Sequence, residues 1–219
     1  MNPGRQDWQE WHRDYDDPGS PVSRRLVEVR ARLAALLAAG DGPLRLLNLC
    51  SGDGRDTVPV LAGSDRAIDA CLVELDPDLA GAARRAAAQA GVDLEVRTAD
   101  ASAVASYADR LPVDVLMLVG VLGNVSDPDA ERTIGATASL LVPGGTVVWS
   151  RSNRFRAEPT HAYADPAVWV RDRFEAHGFE TVELVVPEVD AWRLGVSVLR
   201  RPAEPEPGPL PERLFSFVR

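Results

Sequence analysis

The stretch NLCSGDGRD, residues 48–56, follows the apolar run PLRLL at 43–47, and its reading decides the fold. Two glycines, Gly52 and Gly54, flank one aspartate, and a charged pair follows. An apolar strand that ends in a glycine loop and opens a helix presents free backbone N–H groups and the positive end of a helix dipole. Glycine at such a place lets a ligand come close to the main chain. Against the dinucleotide fingerprint G-x-G-x-x-G the match is incomplete, because Thr57 stands at the third glycine position. On its own the loop also reads as an ordinary tight turn.

The sequence on either side supplies the context. Four capping residues followed by proline mark helix starts: Ser20-Pro21, Asp76-Pro77, Asp127-Pro128 and Asp165-Pro166. A side-chain oxygen caps the free amides, and proline suits the first turn, where its missing N–H has no helical partner. After Pro21 the apolar residues Val22, Leu26, Val29, Leu33 and Leu36 or Leu37 fall on one helical stripe, with Arg and Glu on the other side. Gly40, Gly91 and Gly178 follow helical runs, where a left-handed residue is wanted. Short apolar runs at 44–50, 69–75, 92–98, 113–120 and 145–150 are each followed by helix-like sequence, which predicts a mostly parallel sheet covered on both faces. The rhythm then changes. Strands at 179–186 and 192–200 are joined by little more than PEVD, too short for a crossover, so this pair must be antiparallel. The expected fold is therefore α/β, Rossmann-like, with seven strands and a C-terminal antiparallel hairpin.

In such a sheet the strand ends share one rim, at the crevice where the strand order reverses. CLVELDP puts Glu74 at the end of the second strand, where a carboxylate can accept both hydroxyls of a ribose. VRTAD puts Asp100 just after the third strand, placed to accept from an adenine amino group. DVLMLVGVLGNV ends a fourth strand between Gly120 and Asn124.

On these motifs the sequence resembles the class I S-adenosylmethionine-dependent methyltransferases. NLCSGDG resembles that family's first motif, with Asn48 in place of the usual acid and Cys50 in place of the first glycine. Glu74 in VELDP, Asp100 in the third-strand "AD" and LVPGG at 141–145 match in order, over roughly residues 40–200. The resemblance implies S-adenosylmethionine as cofactor and in-line methyl transfer as activity. It implies that the loop from Asn48 through Cys50, Ser51, Gly52 and Gly54 meets the methionine part. It implies that Glu74, with Leu75 beside it, holds the ribose, and that Asp100 with Ala101 holds the adenine, near Gly120. Asp53 and Asp56 favour the helix N-terminus rather than ligand, and Cys50 reads as a small buried residue. The implied organisation is a helical lid or cap at 1–40, a methyltransferase core at 41–201, and a Pro-rich extension with a strand-like end at 202–219.

Methyl transfer needs acceptor, methyl and sulfur in line and water excluded. The N-terminal WQEWHRDYDDPGS resembles a lid over the cofactor, with Tyr15 on the cofactor and Trp11 and His12 toward the acceptor; the near-helical spacing of Trp8, Trp11 and Tyr15 also reads as a packed helix face. Arg151, Arg154 and Arg156 follow the fifth strand, where guanidiniums can hold an anionic acceptor bidentately, or belong to a solvated loop. Asn124 and His161 are the candidates for a catalytic polar group at the rim; His161 reads as well as surface. RLFSFV at 213–218, behind five prolines in 202–212, is too apolar to be left in solvent and is expected on the sheet edge or in the core.

Bulk composition narrows the classes. The 219 residues are 45% apolar with a formal net charge of −9, which fits one packed domain and argues against a broad nucleic-acid or membrane surface. All 24 basic residues are arginine, so Schiff-base and phosphate-loop lysine chemistry is excluded. The two cysteines make neither a disulfide framework nor a metal motif. The polar, acidic start does not read as a signal peptide, and no apolar run approaches the ~18 residues of a membrane span. The expected protein is cytoplasmic, a monomer or homodimer, acting on a small-molecule acceptor without metal. Methylation of protein or RNA, and cofactor binding without catalysis, are the alternatives.

Overall fold

The central strands are apolar and buried almost throughout, so that each strand feeds both faces of one sheet. The computed structural model describes residues 13–152, 165–200 and 210–217. Its strands are β1 Leu44–Leu49, β2 Ile68–Glu74, β3 Glu95–Thr98, β4 Val113–Leu118, β5 Leu141–Ser152, β6 Phe179–Val185 and β7 Trp192–Leu199. They lie in the order β3-β2-β1-β4-β5-β7-β6. Strands β1 to β5 are parallel, and β7 runs antiparallel between β5 and β6. The expected seven-stranded, mostly parallel sheet with its terminal hairpin is thus the observed one. The order reverses between β1 and β4, which opens the crevice at their C-terminal ends.

Among the described residues five α-helices cover the sheet: α1 Pro21–Ala38, α2 Val58–Ala62, α3 Pro77–Ala90, α4 Asp127–Leu140 and α5 Pro166–Ala176. On one face Val29, Leu33 and Leu37 of α1 pack on Leu44, Leu46, Val115, Met117 and Val148. On the other, Ile134 of α4 and Phe174 of α5 pack with Leu47, Leu49, Leu116, Leu118 and Trp149. Ser20, Asp76 and Asp165 cap their helices as expected, each accepting from backbone amides in the first turn. The cap of α4 is instead Ser126, whose hydroxyl accepts from the Asp129 amide, with Asp127 already inside the helix. That frees the Asp127 carboxylate for another partner. Gly91 and Gly178 adopt positive φ, but α1 ends on Ala39 in the right-handed region, and Gly40 is not left-handed.

Two strands depart from the expected length by three residues or more. Strand β3 begins at Glu95 because Val92 and Leu94 pack against the neighbouring cores before pairing starts. Strand β5 begins at Leu141, four residues early, because a register shift opposite Val113–Val115 takes up the Pro-Gly-Gly turn. Among the described residues no helix is long and apolar enough to cross a membrane.

Candidate active site

After β1 the chain curls back on itself. Cys50, Gly52 and Gly54 all have positive φ, at 59°, 58° and 73°. Left-handed backbone costs a non-glycine residue about 1–2 kcal/mol, so Cys50 sits where the first glycine of the motif relieves strain. The curl carries the Gly52 amide to Glu74 Oε2 at 2.8 Å, and the Asp76 amide meets Oε1 at 2.9 Å. Both carboxylate oxygens of Glu74 are therefore oriented by main chain, at the tip of β2 and beside the loop. Gly54 serves packing rather than ligand approach: a Cβ there would lie 3.1 Å from both Leu72 Cδ2 and Val58 Cγ2 and 3.3 Å from Ala83 Cβ.

Asn48 is buried beneath this loop. Its Nδ2 donates to Thr57 Oγ1 at 2.8 Å and lies 3.1 and 3.2 Å from the two oxygens of Asp56. Burial pushes the Asp56 pKa up, against hydrogen bonds from Thr57 and Asn48 that pull it down. An amide at position 48 thus supplies a donor to a desolvated carboxylate.

A cavity of about 400 Å³ opens above these strand ends, within the range of single-ligand sites. It gathers Tyr15, Cys50, Ser51, Gly52, Glu74, Leu75, Asp100, Ala101, Gly120 and Asn124, ten residues that the sequence pointed to. Asn48 and Gly54 support its floor without lining it. Ser51 Oγ is buried with no hydrogen-bond partner among the described residues, a polar group left for a ligand. Burial, with Glu74 and Asp100 nearby, pushes the Cys50 thiol far up. Asp100 Oδ1 accepts from the Ser102 amide and hydroxyl at 2.9 and 2.7 Å, and Oδ2 from Arg213 Nη1 at 2.9 Å. Burial raises the Asp100 pKa, but these donors outweigh it and the net direction is down. Gly120 is fixed by its amide to Ser150 Oγ at 2.8 Å and by its carbonyl to Asn124 Nδ2 at 2.6 Å.

Arg151 is elsewhere. It is buried, donates to the Leu122 carbonyl and to Asp127 Oδ1 (2.8 Å), and lies 5.7 Å over the Trp169 ring. Its guanidinium ties the β4–α4 loop to β5 and does not line the cavity; the Asp127 carboxylate released by the Ser126 cap draws it inward. Trp11, His12, Arg154 and His161 lie outside the described residues.

Several cavity residues were not foreseen. Arg25 is one helical turn before Val29 on the buried face of α1, and its Nη2 donates to Tyr15 Oη at 3.0 Å. Arg55, paired with Asp53, stacks 4.3 Å from the Tyr15 ring centre. The i, i+4 spacing from Arg25 to Val29 was the available signal for the first. The far C-terminal residues Arg213, Phe215, Ser216 and Phe217 also line the cavity. Leu214 and Phe215 are buried in the main core, as the apolar character of RLFSFV suggested, although Phe217 stays exposed, and no local pattern pointed them to the site.

Comparison with known proteins agrees with this geometry. Residues 46–145 match the family model described as "Methyltransferase domain". Magnesium protoporphyrin IX methyltransferase from Synechocystis PCC 6803, solved with bound S-adenosylmethionine, is 17% identical, with a TM-score of 0.62 over 89% of this chain and 92% of that one. An S-adenosylmethionine-dependent methyltransferase from Thiobacillus denitrificans, in complex with S-adenosylhomocysteine, is 27% identical, with a TM-score of 0.51 over 72% of this chain and 66% of that one. A [4+2]-cyclase, SpnF, is 18% identical, with a TM-score of 0.56 over 76% and 80%. No curated protein sequence matches the chain. Residues 46–145 therefore match a methyltransferase domain, and the chain shares its fold with solved S-adenosylmethionine-dependent methyltransferases.

Proposed function

We propose that this chain is an S-adenosylmethionine-dependent methyltransferase acting on a small molecule. The observation that carries the reading is the Glu74 carboxylate, oriented by two backbone amides at the tip of β2 and facing the same cavity as the Cys50–Gly54 loop and Asp100. The donor set fits the cofactor. Glu74 would hold the ribose hydroxyls, Asp100 and Ala101 the base, and the Ser51 hydroxyl, unpartnered among the described residues, with the loop amides the amino-acid end. When bound, S-adenosylmethionine supplies an electrophilic methyl group on a sulfonium.

The chain's own groups would position the acceptor rather than deprotonate it. Asn124 gives one N–H to the Gly120 carbonyl, so what it offers is a second N–H and a carbonyl oxygen, hydrogen-bonding groups and not a base. Tyr15, held between Arg25 and Arg55, would close the methionine end against water. The apolar Leu26, Val29 and Val119 on the cavity wall favour a small, partly apolar acceptor over a polymer. Residues 1–12 and 153–164 carry the remaining candidates for that role, His161 among them.

Calorimetry with S-adenosylhomocysteine tests the cofactor assignment. Wild-type protein binds it, and Glu74→Ala weakens binding by about 2–4 kcal/mol, the scale for lost charge-assisted bonds; absence of binding by the wild type would refute the reading. A metabolite screen for methyl transfer then tests the activity. Binding without turnover would select the second reading, a cofactor-binding protein without catalysis.

A further inference from the structure

The segment before and after Leu214 runs along the cavity, which Arg213, Phe215, Ser216 and Phe217 line. At one end Arg213 pairs with Ala103 as an antiparallel bridge, the Leu214 amide donates to the Ser102 carbonyl at 2.8 Å, and the Val104 amide donates to the Glu212 carbonyl at 3.0 Å. At the other end Phe217 pairs with Val125, directly after Asn124. Four residue steps span at most about 14 Å, so one short strap links the loop after β3 to the loop after β4. Buried Leu214 and Phe215 anchor it, and Thr133 Oγ1 donates to the Leu214 carbonyl at 3.1 Å.

What the strap presents to the cavity is specific. Six large apolar residues are exposed among the described residues, and only two of them, Leu75 and Phe217, line this cavity. Phe217 keeps 39% of its surface open while its neighbour Phe215 keeps 1%. The Phe217 ring is braced by Phe215, with centroids 5.2 Å apart. Leu75 is carried by the tip of β2 and Phe217 by the strap at the tip of β4. These tips lie on opposite sides of β1 in the sheet order. Between the two elements, Arg213 holds Asp100 Oδ2 from the strap itself. Two apolar surfaces with a fixed carboxylate beside them suit a flat heteroaromatic base with an exocyclic amine.

We infer that the strap is part of the cofactor site: Phe217 supplies a stacking face for the adenine, opposite Leu75, and Arg213 is a positioning residue that sets the Asp100 carboxylate against the base edge. The inference rests on the cofactor reading above. It makes residues 213–217 determinants of cofactor affinity, although they lie some seventy residues beyond the matched domain.

The test is calorimetry on the full chain with two probes, S-adenosylhomocysteine and 5′-methylthioadenosine, the second lacking the amino-acid end. Phe217→Ala weakens both by a similar factor of about ten, the scale of one lost base–ring stack. Phe217→Tyr, which keeps a ring, restores wild-type affinity, and the unliganded melting temperature stays unchanged in both variants. Equal affinity of wild type and Phe217→Ala for S-adenosylhomocysteine overturns the inference while leaving the cofactor reading intact. So does a loss confined to S-adenosylhomocysteine and absent with 5′-methylthioadenosine, which would put the ring at the amino-acid end. If Phe217→Ala lowers the unliganded melting temperature, the Tyr variant decides: weakened binding in a fully stable Phe217→Tyr also overturns it. Failure of the wild type to bind either probe overturns both readings together.

Discussion

Replacing Asn48 by aspartate, the kind of residue that the family's first motif carries there, is expected to destabilise this protein. Asn48 is 1% exposed, and its Nδ2 lies 3.1 and 3.2 Å from the two oxygens of Asp56. In Asn48→Asp two carboxylates face each other across that gap. Leaving both ionised costs about 5 kcal/mol at an effective dielectric near 20. Taking up one proton costs about 1.4 kcal/mol for each pH unit above the ordinary carboxylate value of 3.8. That is about 4 kcal/mol at pH 7 and about 1.6 kcal/mol at pH 5. Protonation is the cheaper course at both, and the protonated oxygen then donates to Asp56 as the amide did. The folded variant holds a proton that the unfolded chain releases, so its stability falls as pH rises from about 4 to 7. Wild type carries a weaker tendency of the same sign, since the Asp56 pKa is already raised. Urea unfolding followed by the fluorescence of the five tryptophans, at pH 5 and pH 7, measures the difference. The exchanged pair Asn48→Asp, Asp56→Asn restores one donor facing one carboxylate and recovers most of the loss. An Asn48→Asp variant as stable as wild type at pH 7, or equally weakened at both pH values, refutes the reasoning.

Two further substitutions probe the frame. Gly195→Ala is expected to cost about 3 kcal/mol, because a Cβ there falls 2.1 Å from Trp149 Cε2, and Trp149 is held by Ser197 and stacked on Phe174; a chemical unfolding midpoint at the wild-type value would contradict this. Arg151→Leu strips the Leu122 carbonyl of its donor and Asp127 of this partner, for a loss of about 3–5 kcal/mol. Thermal unfolding checks it, and an unchanged midpoint would mean that the buried pair contributes nothing net.

What was legible in the sequence was whatever short-range chemistry dictates. Apolar runs separated by capped helices specify parallel strands, and a four-residue link between two runs specifies a hairpin, because geometry leaves no other connection. Glu74, Asp100 and the glycine loop followed, since strand ends share a rim once the strands are parallel. What escaped depended on partners distant in the chain. Arg151 reads as a loop cation until Asp127, displaced from the cap by Ser126, is brought beside it. Arg25 sits on the polar side of a stripe drawn through Val22 and Leu26, yet shares the face of Val29 and Leu33. RLFSFV announced burial by its apolar residues, but its destination was set by main-chain bonds to Ser102, Val104 and Val125, which no local pattern encodes. Gly54 looked like a residue that admits ligand, and instead admits Leu72, Val58 and Ala83.

The left-handed cysteine of the loop has a consequence for chemical self-protection. Thiolates, not thiols, attack electrophiles, and the proposed cofactor is itself an alkylating agent. Cys50 borders the cavity, yet burial and the nearby carboxylates of Glu74 and Asp100 keep its sulfur protonated. The same acidic surroundings that would suit a ribose and a base therefore present the proposed cofactor with a protonated thiol rather than a thiolate.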